Sequence, residues 1–335
     1  MTKRNWALLG GETLAGKELR EAIEERKLPV TLTVFSSQAG AAALTASGED
    51  EASVLPPFSA AAITGAQVVF LAGDAAQSRA AMAQAREAGV KPVWVDLHGV
   101  FEDMPESRVR APLVEAQTPD AAAAPVQTPA HPGAVLLARF LALLHPRFPL
   151  RRAVATVFEP ASAHGRKGMD ELHQQTVSLF NFQNPPQAVF DAQAAFNLLP
   201  RYGNEAPEPL AGSEARMERH LATLLAPLGA PLPSIKLIHA PVFHGYCLSV
   251  WVEYAVRPAV ADAEAVFREA GIDVRSAAQE PPSNRAVAGQ SGFIVGAIED
   301  DRNDARAAWF FLAADNLRTL ADNAVMIAAL CGGAE

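Results

Sequence analysis

Short apolar runs separated by amphipathic stretches fill the first third of the chain. Residues 6–9, 31–36, 66–71 and 93–96 are rich in Val, Leu, Phe and Trp, and residues 16–26 and 74–88 carry apolar side chains at helical spacing. Buried parallel strands joined by crossover helices produce this alternation. It predicts a Rossmann-like parallel sheet. Residues 116–132, AQTPDAAAAPVQTPAHP, follow neither period and read as a linker or irregular crossing, which places a domain boundary near residue 130. The apolar run 134–144 predicts a helix: Pro132 suits the first helical position, and a residue before proline is pushed out of the helical region, so His131 falls at the N-cap. Further on, the pattern predicts a strand at 152–158, helices near 168–181 and 213–226, and strands near 234–242 and 246–257. Residues 292–298 and 307–313 flank the turn EDDRND as a hairpin. The second domain is therefore mixed, with an antiparallel sheet.

A chain of 335 residues, 50% hydrophobic, suffices for two packed domains. The net charge of -9, with no basic run to offset it, argues against a nucleic-acid partner. Cys247 and Cys331, the two cysteines, cannot build a disulfide framework or a multi-cysteine zinc site, so a reduced cytoplasmic setting is the default. The start MTKRNWALLGG runs into a glycine turn rather than a signal-peptide core, and the longest apolar helix candidate, 132–145, is too short for a bilayer and contains Arg139. The expectation is a soluble protein with no membrane partner.

LLGGETLAGKEL, after the first strand, looks like a dinucleotide turn, in which glycines let backbone approach a pyrophosphate at a helix N-terminus. Gly10 and Gly16 have the outer spacing of that motif, Thr13 stands at its middle position, and Glu12 brings a carboxylate toward the phosphates. A strand-to-helix turn that binds nothing is the competing reading. The segments ETLAGKEL, GRKGMDELHQQT, AAFNLLPRYG, HAPVFHGYCLSV and AADNLRTLADNAV, taken together and in order, resemble the aspartate-semialdehyde dehydrogenase family over nearly the full chain. The resemblance implies an α/β protein: a Rossmann-like parallel sheet completed by the C-terminal helix, residues 1–130 and 315–335, with an inserted α+β substrate and dimerisation domain at 131–314. It also implies reduction of aspartyl phosphate with NADPH, a place in amino-acid biosynthesis, and a homodimer.

Against that family's pattern the reactive positions differ. Its catalytic cysteine follows Asn-Pro-Asn at the head of a helix, where the dipole favours a thiolate; here the run is Thr128-Pro129-Ala130-His131. Its substrate-orienting glutamine corresponds to Glu159, its carboxylate-binding arginine to His239, and its general-base histidine to Tyr246. On a strand at 246–254, Cys247 turns away from the face of Tyr246 and Leu248 and reads as a packed core cysteine. Where the family's second strand leads into an arginine for the cofactor's 2′-phosphate, this chain offers Ser36, Ser37 and Gln38. NADP is therefore expected to bind weakly or not at all. Arg216 matches a family lysine near the substrate phosphate, its alternative being a solvated helix face.

The sequence thus reads as a Usg-type relative lacking the catalytic cysteine, with the fold and dimer kept and the reaction lost, acting as a binding or interaction protein for a small-molecule or protein ligand. One rival is an oxidoreductase or other enzyme using His131, Glu159, His239 and Tyr246 in the altered cleft. Another is a weak NADP-dependent aspartate-semialdehyde dehydrogenase. No metal site is expected from local spacing, although the family geometry would let His131, His239 and Glu159 share a zinc or iron ion.

Overall fold

The computed structural model describes residues 3–37, 43–47, 51–115 and 123–331, with backbone alone at 43–47 and 51–53. The chain divides into two compact units, Met1–Ala130 with Leu320–Glu335, and His131–Thr319.

The first unit opens with β1 (Arg4–Leu9), α1 (Leu14–Glu25) and β2 (Val30–Phe35), followed by the hairpin β3 (Ala43–Ser47) and β4 (Glu51–Leu55). Next come β5 (Val68–Leu71), α2 (Ala75–Glu87), β6 (Val93–Asp96), β7 (Ser107–Arg110) and β8 (Val126–Pro129). Six strands form a parallel sheet in the order β2-β1-β5-β6-β8-β7. The helices start where side chains replace missing backbone partners: Thr13 accepts the Gly16 N–H, and Asp74 and Gln77 form a capping box. Trp6, Leu8, Phe70 and Val95 bury one sheet face against Leu19 of α1 and against Ala324, Ile327 and Ala328 of the C-terminal helix, Asn316–Cys331. The other face packs Leu9, Phe35, Val69 and Trp94 against Ala81, Met82 and Ala85 of α2. Both faces of the parallel sheet are covered, as such sheets require.

The linker reading of 116–132 fails at Val126–Pro129, where a fully buried strand lies between β6 and β7. Its polar side chains hid it. Gln127 donates to the Ala124 carbonyl and accepts from buried Arg110, and Thr128 pairs with Ser107, so these groups are satisfied within the sheet. Residues 116–122 lie outside the described residues.

The second unit comprises α3 (Pro132–Leu144), β9 (Leu150–Glu159), α4 (Gly165–Phe180), α5 (Leu210–Leu225), β10 (Ser234–His239) and β11 (Tyr246–Tyr254). It continues with α6 (Val260–Glu269), β12 (Asp273–Arg275), β13 (Ile294–Asp300) and β14 (Ala307–Ala314). Its sheet runs β10-β9-β11-β14-β13-β12, antiparallel in the middle and parallel at both edges. One face buries Val157, Leu237, Leu248, Val250, Phe310 and Leu312, with Phe310 edge-on to Phe140 of α3 and Phe267 of α6. The opposite face is open around Val154 and Trp309, 47% and 43% exposed, which stand in register on either side of Trp251. The indole N–H groups of Trp251 and Trp309 both donate to Asp301. Two large apolar rings are thus held rigidly on a surface. Among the described residues no helix is long and apolar enough to cross a membrane.

Candidate active site

Strand register brings the chemistry together within the second unit. Glu159 ends β9 and pairs directly with His239, the last residue of β10. Cys247 of β11 pairs with Phe158, which sets Tyr246 beside Glu159 on the same covered face. His131 is the N-cap of α3 and Ser213 lies in the first turn of α5. Tyr202 and His164 approach from the segments before α5 and α4.

At the centre is the Glu159 carboxylate, which is fully buried. Its Oε1 accepts from the Tyr202 hydroxyl at 3.2 Å and lies 3.5 Å from His164 Nε2. Its Oε2 accepts from Ser213 at 3.0 Å and Tyr246 at 3.1 Å. Burial alone would raise its pKa, but the hydrogen bond and charge of His164, with help from His131 and Ser213, hold it below the ordinary carboxylate value. Both phenols are pushed up, by burial first and then by the Glu159 charge, and stay protonated as donors.

The tautomer of His131 follows from its cap. The Gly133 N–H donates to Nδ1 at 3.2 Å, so in the neutral ring Nε2 carries the proton, facing Ser213 at 3.4 Å and Tyr246 at 3.3 Å. Its lone pair therefore points into the helix and not at the cluster. The His131 N–H is itself capped by Nδ1 of buried His220 at 2.8 Å. Two imidazole nitrogens thus satisfy a helix head that would otherwise attract an anion.

Tyr202 is saturated in the same way. If it donates to Glu159, its oxygen accepts from His164 Nε2 at 3.0 Å and from His239 Nδ1 at 3.1 Å. His239 Nε2 is then a bare acceptor, and it is buried without a partner. Burial pushes the His239 pKa down to about 4; the Glu159 charge pulls the other way and His164 adds to the lowering. For His164, burial works against the imidazolium, yet hydrogen bonds and charges from Glu159 and from Glu208, 3.6 Å away, raise its pKa to about 9.

A pH dependence follows with a definite sign. Because His164 holds its proton in the folded protein well above the ordinary imidazole value of 6.5, its contribution to stability is complete below that value and is lost as pH rises through about 9. Glu159, lowered, contributes above the ordinary carboxylate range and loses that contribution on acidification. The melting temperature of the wild type should fall more steeply than that of His164→Asn between about pH 7 and 10. Parallel profiles would remove His164 as the cause.

The four positions singled out in the sequence, His131, Glu159, His239 and Tyr246, all meet in this cluster. Arg216 lies on α5, part-buried and within electrostatic reach of Tyr246. Tyr202, His164, Ser213 and His220 were not foreseen; Tyr202 stood inside AAFNLLPRYG, His164 immediately before GRKGMDELHQQT, and Ser213 precedes Arg216 by one helical turn. The shared-metal idea for His131, His239 and Glu159 is corrected: hydroxyls of Ser213, Tyr202 and Tyr246 bridge these side chains, and among the described residues no three His, Cys, Asp or Glu groups are placed to hold an ion. Cys247 packs against Val287, Ile294 and Ala313 with its thiol raised to about 11 by burial, so it supplies no thiolate.

In the first unit the glycine turn is built for close packing. A Cβ on Gly16 would fall 2.0 Å from the Gly10 carbonyl oxygen, and one on Gly10, at φ +88°, 2.8 Å from the Ala72–Gly73 backbone. Glu12 reaches from this turn to the end of β2, where Oε1 accepts the Ser37 N–H at 2.8 Å and the Ser37 hydroxyl, with the Ser36 hydroxyl 3.5 Å away. A carboxylate therefore stands at this strand end beside Ser36 and Ser37. Gln38 lies outside the described residues.

A Rossmann-like parallel sheet followed by a mixed-sheet unit, with polar groups gathered at one helix head, defines a protein built like a two-domain dehydrogenase. Residues 141–319 match the family model described as semialdehyde dehydrogenase, dimerisation domain. The chain is 31% identical to the USG-1 protein homolog of Azotobacter vinelandii, covering 97% of this chain and 96% of that one. It is 30% identical to aspartate-semialdehyde dehydrogenase of Rickettsia bellii over 58% of each chain. A probable aspartate-semialdehyde dehydrogenase from Pseudomonas aeruginosa superposes with a TM-score of 0.85 at 27% identity, over 99% of both chains. The chain belongs to the semialdehyde dehydrogenase family.

Proposed function

We propose that this protein keeps the family's fold and dimer but has lost the phosphorylating semialdehyde dehydrogenase reaction, and that it acts as a binding or interaction protein. The observation that carries this reading is the Glu159 cluster. Where the family pattern places a thiol, a glutamine, an arginine and a base, this chain places groups that satisfy one another. A carboxylate accepting three hydroxyl hydrogen bonds is a poor base, and His131 presents an N–H where a nucleophile is needed. The rival enzyme using the altered cleft finds one uncommitted lone pair, His239 Nε2, on a ring too weakly basic to take a proton at neutral pH. The test is turnover of aspartate semialdehyde with phosphate and NADP by protein free of host enzyme; robust turnover would overturn the proposal.

The reading includes a homodimer through the open sheet face. Val154, Trp251 and Trp309 give that face a rigid aromatic centre of the kind that dominates interfaces. Trp309→Glu should convert a dimer into a monomer at micromolar concentration, a loss of at least about 2 kcal/mol of association, as read by light scattering. A wild-type monomer, or a variant that stays dimeric, would rule this surface out.

A further inference from the structure

The disagreement between the Glu12 site and NADP points to a different ligand. We infer that the first unit selects a nucleotide whose adenosine ribose carries a free 2′-hydroxyl, of the NAD type, against the 2′-phosphorylated form, and that Glu12 makes the distinction. The inference rests on reading this unit as the family's dinucleotide-binding domain.

Three observations carry it. First, the turn between β1 and α1 carries glycine where the chain packs on itself, since a Cβ at Gly10 would meet the Ala72–Gly73 backbone and one at Gly16 the Gly10 carbonyl, so no side chain stands at either position of the motif. Second, Glu12 is anchored at the end of β2 through Oε1, while Oε2 is shielded from solvent and has no hydrogen-bond partner among the described residues. An oxygen of a carboxylate in that state is costly, and a donor arriving with a ligand relieves the cost. Third, the segment VFSSQAGAAA contains no lysine or arginine to neutralise a phosphate.

In nucleotide-binding sheets of this kind the end of the second strand meets the adenosine ribose, and an acidic residue there accepts from its 2′-hydroxyl. Here the acid comes from the turn rather than from the strand, but it reaches the same strand end. A ribose hydroxyl that displaces the groups shielding Oε2 would supply the donor that this oxygen lacks. A 2′-phosphate would instead meet a like charge without a basic side chain from the segment 34–43, a repulsion that a partly desolvated site screens poorly.

Calorimetric titration with NAD+, NADP+, ADP-ribose and its 2′-phosphorylated form tests this without recourse to activity. NAD+ and ADP-ribose should bind at least about tenfold more tightly than their 2′-phosphorylated counterparts. Glu12→Gln, which keeps the shape and removes the charge, should bring the two classes within about threefold, mainly by tightening the phosphorylated ones. Ser37→Ala, which loosens the Glu12 anchor, should narrow the gap partway. Thermal melts of both variants confirm that they are folded. Equal or tighter binding of NADP+ by the wild type overturns the inference, as does failure of all four nucleotides to bind the wild type at millimolar concentration. Nucleotide binding without turnover leaves the non-catalytic reading standing, turnover with NAD+ defeats that reading alone, and turnover with tightly bound NADP+ defeats both.

Discussion

Glu159→Ala is expected to lower the melting temperature by about 6–20 °C, corresponding to roughly 3–5 kcal/mol in a unit of this size. The carboxylate is the common acceptor for Tyr202, Ser213 and Tyr246, and it faces a protonated His164 at 3.5 Å. Its removal strands three hydroxyls and leaves a buried imidazolium with Glu208 as its remaining charge partner. Glu159→Gln should cost less, because the amide oxygen still accepts, but its amide NH2 faces donors where an oxygen stood. The two variants share a second signature: the His164 pKa should drop from about 9, since its largest favourable contribution comes from Glu159. Nuclear magnetic resonance titration of the His164 ring reads this directly. A shift in melting temperature below about 2 °C for the alanine variant, with His164 still titrating near 9, would mean that the carboxylate does not organise the cluster.

How much of this was legible in the sequence depended on which interaction decided each element. β1, β5 and β6 were plain because they are central strands with near-continuous buried apolar runs, and the edge strand β2 showed instead as an alternation of apolar and polar residues. β8 was not, since Val126–Pro129 is buried through polar pairing with Ser107 and Arg110, side chains distant in sequence that no local period reveals. The N-cap at His131 was readable from Pro132 alone, a local rule. Its tautomer was not. A free helix head favours a neutral ring but does not say which nitrogen keeps the proton; that is set by Gly133 N–H entering Nδ1. Likewise the family pattern led to Glu159, His239 and Tyr246, but Tyr202, which joins two of them, comes from an irregular segment brought in by the backbone bridge between Leu199 and His239. The resemblance pointed to positions. The hydrogen-bond partners that decide their chemistry required the fold.

Restoring the thiol alone should leave semialdehyde oxidation undetectable. In His131→Cys the sulfur gains the helix head, which favours thiolate. It also loses the ring that holds Gly133 N–H and faces Ser213 and Tyr246, and it stands near the Glu159 carboxylate, whose charge opposes a second anion. Tyr246, with its phenol pushed up by burial, cannot take the proton that the family's histidine would take. Groups acting as a unit contribute jointly, so removing any one nucleophile or base costs on the order of 10⁴–10⁶ in rate, and replacing one of four missing members recovers little. The informative comparison sets His131→Cys beside a fourfold variant adding Glu159→Gln, His239→Arg and Tyr246→His, each assayed for reduced-cofactor formation with aspartate semialdehyde and phosphate, with NAD+ and NADP+ in parallel. Turnover should emerge, if in either, in the fourfold variant, and with NAD+ before NADP+ because Glu12 is still in place. Efficient catalysis by His131→Cys on its own would show that the cluster around Glu159 had never closed the site, and the case for a protein relieved of catalysis would fall with it.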